Sequence, residues 1–396
     1  MSSDDPLLEF LRDFYESTGF YGFIDEPRYL VMVIVGLILI YLAIAKEFEP
    51  LLLLPIGFGC ILVNIPLAGM MNDGSNGESV GPLYHLYEAG ILTELFPILI
   101  FIGIGAMTDF TPLLKRPKVL ILGATAQFGI FFTLIMALQL QSAGLIDGGL
   151  EVAASIAIIG AADGPSAIFL TTKFAPEKLG PITVCAYSYM AMVPLIQPPL
   201  IKILTSEKER LTRMPYDIGP DPSQTAKIMF PISVTIITCS IAPMATPLMG
   251  SLMLGNIFRE SGVVDRLAKS SEQELTNIVT ILLGITIGAT MQAKQFLTIE
   301  TLVIFVLGLV AFATATATGV FFGKAAYLGS RGSINPMIGA CGISAFPMSA
   351  RVIHKMGLDE DPHNFLIGHT MAVNTGGQIG SVVATGMLLL LIPLFL

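Results

Sequence analysis

A chain of 396 residues that is 53% hydrophobic, only 13% charged and carries a net charge of −9 is too poor in charge for an ordinary soluble domain, in which about a quarter of residues are charged. The composition is that of a polytopic helical membrane protein, and the acidic balance argues against a nucleic-acid partner. Cys60, Cys185, Cys239 and Cys341 stand singly in apolar segments, without paired spacing for zinc or an iron–sulfur cluster, and read as buried thiols acting as small hydrophobes.

Residues 1–28 are acidic and lack the basic start and small-residue cleavage site of a secretory signal, so they are expected to form an amphipathic cap at the membrane surface. Beyond them, apolar runs near or above the roughly 20 residues needed to cross a bilayer predict spans near 29–45, 50–70, 93–108, 119–142, 152–172, 181–203, 228–257, 275–293, 301–325, 334–353 and 365–394, about eleven in all. The expected architecture is an all-α membrane protein: scaffold helices over 29–92, a first repeat over 93–204, a charged linker at 205–227, a connecting helix and loop over 228–274, and a second repeat over 275–396. A flexible polar loop, "MNDGSNGESVGP", occupies 71–82.

Two motifs recur in the same order. Ile104-Gly105-Ala106 matches Ile287-Gly288-Ala289 at an offset of 183, and "IIGAADGPSAI" (158–168) matches "MIGACGISAFP" (337–347), with Ile159 and Ile338 offset by 179. If all spans of the first repeat cross fully, the second repeat enters from the opposite face, the inverted arrangement common among transporters. The basic loops conflict with that count: "KRPK" (115–118) and the Lys/Arg cluster of 202–213 should share a side by the positive-inside tendency, yet three crossings between them demand opposite sides. Either 152–172 dips and returns or the tendency is diluted.

Each repeat has one interrupted segment. In the first, Gly164-Pro165 breaks a helix beside Asp163, the only ionisable side chain between Glu151 and Lys173. Proline removes a helical hydrogen bond, and the freed carbonyls at membrane depth can become ligands of a hard cation. An acid at such depth costs a few kcal/mol on insertion scales, which makes Asp163 the leading functional candidate; the alternative is a carboxylate facing a wet loop. In the second, "SINPMIGACGISAFPMSAR" (333–351) brings Asn335, Gly339, Gly342 and Ser344 and ends at Arg351. Asn and Ser oxygens with loose carbonyls suit an alkali cation, and an arginine can hold a carboxylate in bidentate fashion or act as an interfacial anchor. After each break comes a polar-decorated helix, with Tyr187, Tyr189 and Gln197 in the first half and His369, Asn374, Gln378 and Ser381 in the second. Asp109 reads as interfacial.

At these residues the chain resembles the membrane β-subunit of the sodium-pumping biotin-dependent decarboxylases that act on oxaloacetate, glutaconyl-CoA, methylmalonyl-CoA or malonate. The resemblance runs from about residue 29 to the end and rests on "GAADGPSAIFLTTKFAPEKLGPI", "AYSYMAMVPLIQPP", "INPMIGACGISAFPMSAR" and "MAVNTGGQIGS". It implies a multi-pass protein of a bacterial cytoplasmic membrane. There it would work with a carboxyltransferase α-subunit, a biotin carrier protein and a small membrane subunit, and as a homo-oligomer within the complex. The carrier's carboxybiotin would be decarboxylated with consumption of a proton and export of Na+; biotin is not attached to this chain. Carried over residue by residue, the resemblance implies functional roles for Asp163, Tyr189, Asn335, Gly339, Ser344, Arg351 and Asn374, with Tyr187 beside Tyr189. On that basis Asp163, Asn335, Ser344 and Asn374, with backbone near Gly164, Gly339 and Gly342, are expected to hold Na+. Arg351 and Tyr189 would face carboxybiotin, one holding its carboxylate and the other in proton supply, with Asp163 and Tyr187 as further catalytic candidates. Composition, helix breaks and the buried acid fit a sodium-coupled secondary transporter or cation/proton antiporter equally well; a mere structural anchor would have no need of an acid at a helix break.

Overall fold

The computed structural model describes residues 6–75, 77–215 and 219–396, and these are helices joined by short turns, with no strand among them. In lipid every backbone amide must find its partner within its own segment, and the Leu-, Ile-, Val- and Ala-rich runs satisfy that requirement as helices. Among the described residues, five helices are long and apolar enough to cross a membrane: Arg28–Ala45, Pro117–Ser142, Gln224–Ile241, Ile299–Gly329 and Ile367–Phe395. Counting each bent pair, Pro82–Leu92 with Leu95–Met107 and Pro176–Ala191 with Val193–Leu204, as one span gives seven. The remaining expected spans are shorter pieces. The segment expected at 228–257 is two antiparallel helices, Gln224–Ile241 and Thr246–Ser261, folded back at Ala242-Pro243 and tied where the Gln224 amide donates to the Glu260 carbonyl. Hydropathy does not register such a turn, because it is itself apolar. At the N-terminus Pro6–Glu16 is an amphipathic helix that exposes Leu7, Phe10, Leu11 and Phe14 along one side.

Ion pairs and hydrogen bonds mark the two ends of the molecule. At one, the linker is pinned by Lys115 to Asp221 (2.6 Å), Arg210 to Glu360 (2.6 Å) and Arg213 to Asp361. The Arg213 guanidinium, with the backbone amide of His363, holds the Asp361 carboxyl down at about 2. At the other end Lys173 meets Glu94 (2.5 Å), and Glu300 receives both Lys178 (2.5 Å) and the Asp147 amide (3.3 Å).

These markers settle the conflict between the basic loops. The segment expected at 152–172 is a hairpin: Leu150–Ala161 descends from the end marked by Glu300, and Gly164–Phe174 returns to it. "KRPK" and the linker therefore share an end. A second hairpin, the 3₁₀ segment Pro336–Gly342 followed by Met348–Glu360, enters from the linker end, where Asn335 donates to the Arg210 and Thr212 carbonyls (2.9 Å each). The hairpins thus enter from opposite ends and meet tip to tip, the Ser344 amide donating to the Ala161 carbonyl at 3.0 Å.

The sequence-matched segments make matching contacts. Gly160 lies against Gly129 of the preceding span, and Gly339 lies against Gly319 of the span before the second hairpin. Leu95–Met107 packs through Gly105 onto Leu252 and Asn256 of Thr246–Ser261, whose Gly255 lies against Ile102 and Ala106, while Thr276–Ala289 packs through Gly288 onto Gly59 of Pro50–Val63. Each half therefore supplies a helix to the other half's pair.

Candidate functional site

Asp163 sits where the first hairpin turns. Ala162 takes the left-handed conformation (φ 53°), which costs a non-glycine residue about 1 kcal/mol. Asp163 follows as N-cap of Gly164–Phe174, its Oδ1 accepting the Ser166 amide (3.3 Å), with Pro165 in the first turn where the missing N–H is not needed. The Ser166 hydroxyl (2.7 Å) and the Ser381 hydroxyl (2.8 Å) both donate to Oδ2. The side chain is 3% exposed, and no arginine, lysine or histidine among the described residues pairs with it. A carboxylate in this setting is an anion held by hydroxyls and an amide, with its countercharge still to be supplied.

The second hairpin completes the site. The Ser344 hydroxyl donates to the Gly377 carbonyl (2.9 Å). The Asn374 amide donates to the Cys341 and Ile343 carbonyls (3.1 and 2.8 Å), which leaves its Oδ1 buried without a donor. Gln378, one turn further along, likewise has an unpartnered Oε1. Gln127, at a break in Pro117–Ser142, donates to the Gly342 and Gly377 carbonyls (3.1 and 3.2 Å) and also keeps a free Oε1. Buried oxygens that accept nothing are uncommon in folded proteins; three of those in this molecule, on Gln127, Asn374 and Gln378, belong to residues that meet around the second hairpin's tip. A hard cation takes such oxygens as ligands.

A cavity of about 640 Å³ leads to this point. Asp163, Gly164, Tyr187, Ser344 and Gln378 line its depth, and Glu49, Glu272 and Arg351 line it nearer the linker end. Arg351 is exposed and makes no ion pair among the described residues.

The expected site residues thus separate into two groups. Asp163, Gly164 and Ser344 line the same cavity as Arg351, while Asn374 and Gly342 lie behind its wall, Asn374 bonded to the Cys341 and Ile343 carbonyls of the second hairpin. Tyr187 abuts Gly164 so closely that a Cβ there would lie 2.1 Å from its ring, and its hydroxyl is buried and unpartnered. Tyr189 faces another way, donating to the Phe305 carbonyl (2.6 Å). Asn335 lies at the linker end as the cap of Pro336–Gly342, its Oδ1 taken by the Met337 amide (3.0 Å). Gly339 packs on Gly319 and is not part of the cavity wall. Ser166 is a further site residue whose sequence signal is indirect: Asp163 before Gly164-Pro165 is an N-cap pattern, which brings the residue three further on within reach of the carboxylate. Gln127 is another, and its only signal is an amide in an apolar span.

Residues 28–392 match the family described as Na+-transporting oxaloacetate decarboxylase beta subunit. The chain belongs to that family. The β-subunit of methylmalonyl-CoA decarboxylase from Propionigenium modestum is 49% identical to this β-subunit over 97% of this chain and 99% of its own. The glutaconyl-CoA decarboxylase β-subunit of Acidaminococcus fermentans is 48% identical over 98% and 99%. The oxaloacetate decarboxylase β-chain of Klebsiella pneumoniae is 45% identical over 91% and 94%. The protein is accordingly a membrane β-subunit of a sodium-transporting decarboxylase, one chain of a multisubunit enzyme.

Proposed function

We propose that this β-subunit decarboxylates carboxybiotin presented by a carrier subunit and couples the reaction to Na+ export, with Asp163 as the residue through which the ion passes. The observation that carries the reading is the buried Asp163 carboxylate, without a cationic partner, at the tip-to-tip contact of two hairpins and at the end of a cavity that also holds Arg351. Carboxybiotin would enter from the linker end. The Arg351 guanidinium would hold its carboxylate, the C–N bond to the ureido nitrogen would break with its electron pair staying on nitrogen, CO2 would leave, and a proton delivered from the cavity would complete biotin. Na+ would sit against Asp163, with the Asn374 and Gln378 oxygens replacing part of its hydration shell. As Na+ departs, Asp163 can take a proton, linking ion movement to proton consumption. Tyr187, beside the break, is better placed than Tyr189 for proton supply; we assign that role to it.

The positive-inside tendency puts the linker end, with Lys115, Arg116, Lys118, Arg210 and Arg213, in the cytoplasm, where a carboxyltransferase and a biotin carrier would be reached. A small membrane subunit would complete the assembly. Opposite entry of the hairpins and the exchanged glycine contacts support reading the two halves as inverted repeats. That relatives named for three different acyl substrates match almost equally well supports a role downstream of acyl-group recognition.

The test is decarboxylation of free carboxybiotin by the purified complex, with Na+ titrated against K+. CO2 release stimulated by Na+ and not by K+ is expected. Sodium flux in vesicles without CO2 release from a competent carrier would instead leave a sodium-coupled carrier without chemistry. In the same assay Ser381→Ala, which removes one hydroxyl from Asp163, is expected to raise the half-activating Na+ concentration. A lost hydrogen bond to a charged group is worth about 1.5–3 kcal/mol, or roughly tenfold to a hundredfold. An unchanged Na+ curve would show that Ser381 does not orient the carboxylate.

A further inference from the structure

A second cavity, of about 700 Å³, opens at the end of the molecule opposite the linker. Glu177, Lys178 and Glu300 give it a charged wall, and it reaches inward to Gly180 and Pro181. The cavity from the linker end stops at Tyr187. Pro181 and Tyr187 lie on one helix, Leu179–Ala191, so the two cavities are separated along it by about 9 Å at 1.5 Å per residue.

The barrier is apolar except for its hydroxyls. Ile168 and Val184 pack in one apolar cluster with Tyr187, and Thr183 stands one turn before it. Thr171 lies on the antiparallel partner Gly164–Phe174, two turns beyond the glycine that touches Tyr187. Thr171 and Thr183 are both 0% exposed, and neither hydroxyl has a hydrogen-bond partner. Other buried threonines bond to the carbonyl of the preceding turn, as Thr133 does to Gly129 (2.7 Å), Thr286 to Leu282 (2.6 Å) and Thr385 to Ser381 (2.8 Å), while Thr316, within Ile299–Gly329, shares the lack of a partner. A threonine that forgoes this bond in a dry interior leaves a donor and lone pairs uncompensated. The hydroxyls of Thr172 and Tyr187 are also unpartnered, so this stretch of the two helices carries four buried hydroxyls without a partner.

We propose that Thr171 and Thr183 line the exit by which the cation leaves Asp163 for the opposite end of the molecule. The proposal rests on the reading of Asp163 as the ion site. Hydroxyl oxygens offer a partly dehydrated alkali cation a stepping point between two wet cavities, and valine, of nearly the same shape, offers none.

The test uses the whole complex in inside-out vesicles, comparing Thr171→Val/Thr183→Val with Thr171→Ser/Thr183→Ser by 22Na uptake and by equilibrium 22Na binding. Loss of hydrogen-bonding oxygens to an ion predicts uptake lowered at least about tenfold in the valine pair, with binding unchanged and uptake restored by the serine pair. Uptake by the valine pair at the wild-type rate overturns the proposal. Absence of uptake by the unsubstituted complex would instead refute the ion-site reading. Should the valine pair fail to assemble, Thr183→Cys in nanodiscs decides. Modification by a cationic thiosulfonate that Na+ suppresses supports the path, and no labelling above the unsubstituted chain during turnover overturns it.

Discussion

Asp163→Asn is expected to abolish Na+-stimulated decarboxylation while leaving the fold intact. The amide keeps the size of the carboxylate and an oxygen for the Ser166 and Ser381 hydroxyls that now donate to Oδ2 (2.7 and 2.8 Å), so the hairpin tip has no steric reason to move. What is lost is the negative charge. A desolvated cation brought to a site that cannot balance it suffers the penalty of an uncompensated buried charge, about 3–5 kcal/mol, or Na+ binding weakened by roughly a hundredfold to a few thousandfold at 1.4 kcal/mol per decade. The measurement is CO2 release against Na+ concentration for both proteins, with complex assembly checked by gel filtration. An assembled variant that is still activated by Na+ at wild-type concentrations would remove Asp163 from the ion path.

Gly339→Ala is expected to inactivate by a different route. A Cβ at Gly339 would lie 2.0 Å from the Gly319 carbonyl oxygen and 2.8 Å from its carbon, both backbone atoms of the long Ile299–Gly329 span. No side chain can rotate away, so the second hairpin must shift relative to that span. Forced overpacking of this kind costs typically about 1–3 kcal/mol, and the shift is transmitted to the tip, where the Ser344 amide meets Ala161 and the Ser344 hydroxyl meets Gly377. We expect a lower thermal midpoint together with decarboxylation reduced by more than about tenfold, since small misplacements in a reactive geometry cost more than that. Gly250→Ala is the control, because nothing lies within 4 Å of a Cβ there. Equal behaviour of the two variants would mean that the hairpin tolerates displacement.

The placing of Asp163 at a helix break is legible from residues alone, and the reason is energetic. A single carboxylate next to Gly-Pro inside an apolar run is costly enough to demand a role, and Asp163 lies where that argument put it, at a break. Direction was not readable. Hydropathy is the same for a segment that crosses and one that turns back, so 152–172 stayed ambiguous until Glu300 was seen to hold both Asp147 and Lys178. Nor does it register an apolar turn, which is why Gln224–Ile241 and Thr246–Ser261 read as one span. Tyr187 and Tyr189 are adjacent in pattern but differ in facing, and only packing assigns one to Gly164 and the other to Phe305. Asn335 illustrates the opposite error. Its chemistry suits a cation, yet its side chain is fully occupied in capping Pro336–Gly342 and in anchoring the linker at Arg210 and Thr212.

The exchange of helices between halves has a mechanical meaning. Leu95–Met107 is clasped by Thr246–Ser261, Thr276–Ala289 by Pro50–Val63, and the tip of the second hairpin rests on Pro117–Ser142 and its Gln127. The segments on either side of 205–227 are interlocked like the fingers of two hands, through packing that does not involve that stretch. The stretch from 205 to 227 then serves mainly as a tether fastened at Lys115, Glu360 and Asp361. The contact between the hairpin tips, Ser344 on Ala161, is therefore held in place by helices drawn from both sides of the linker.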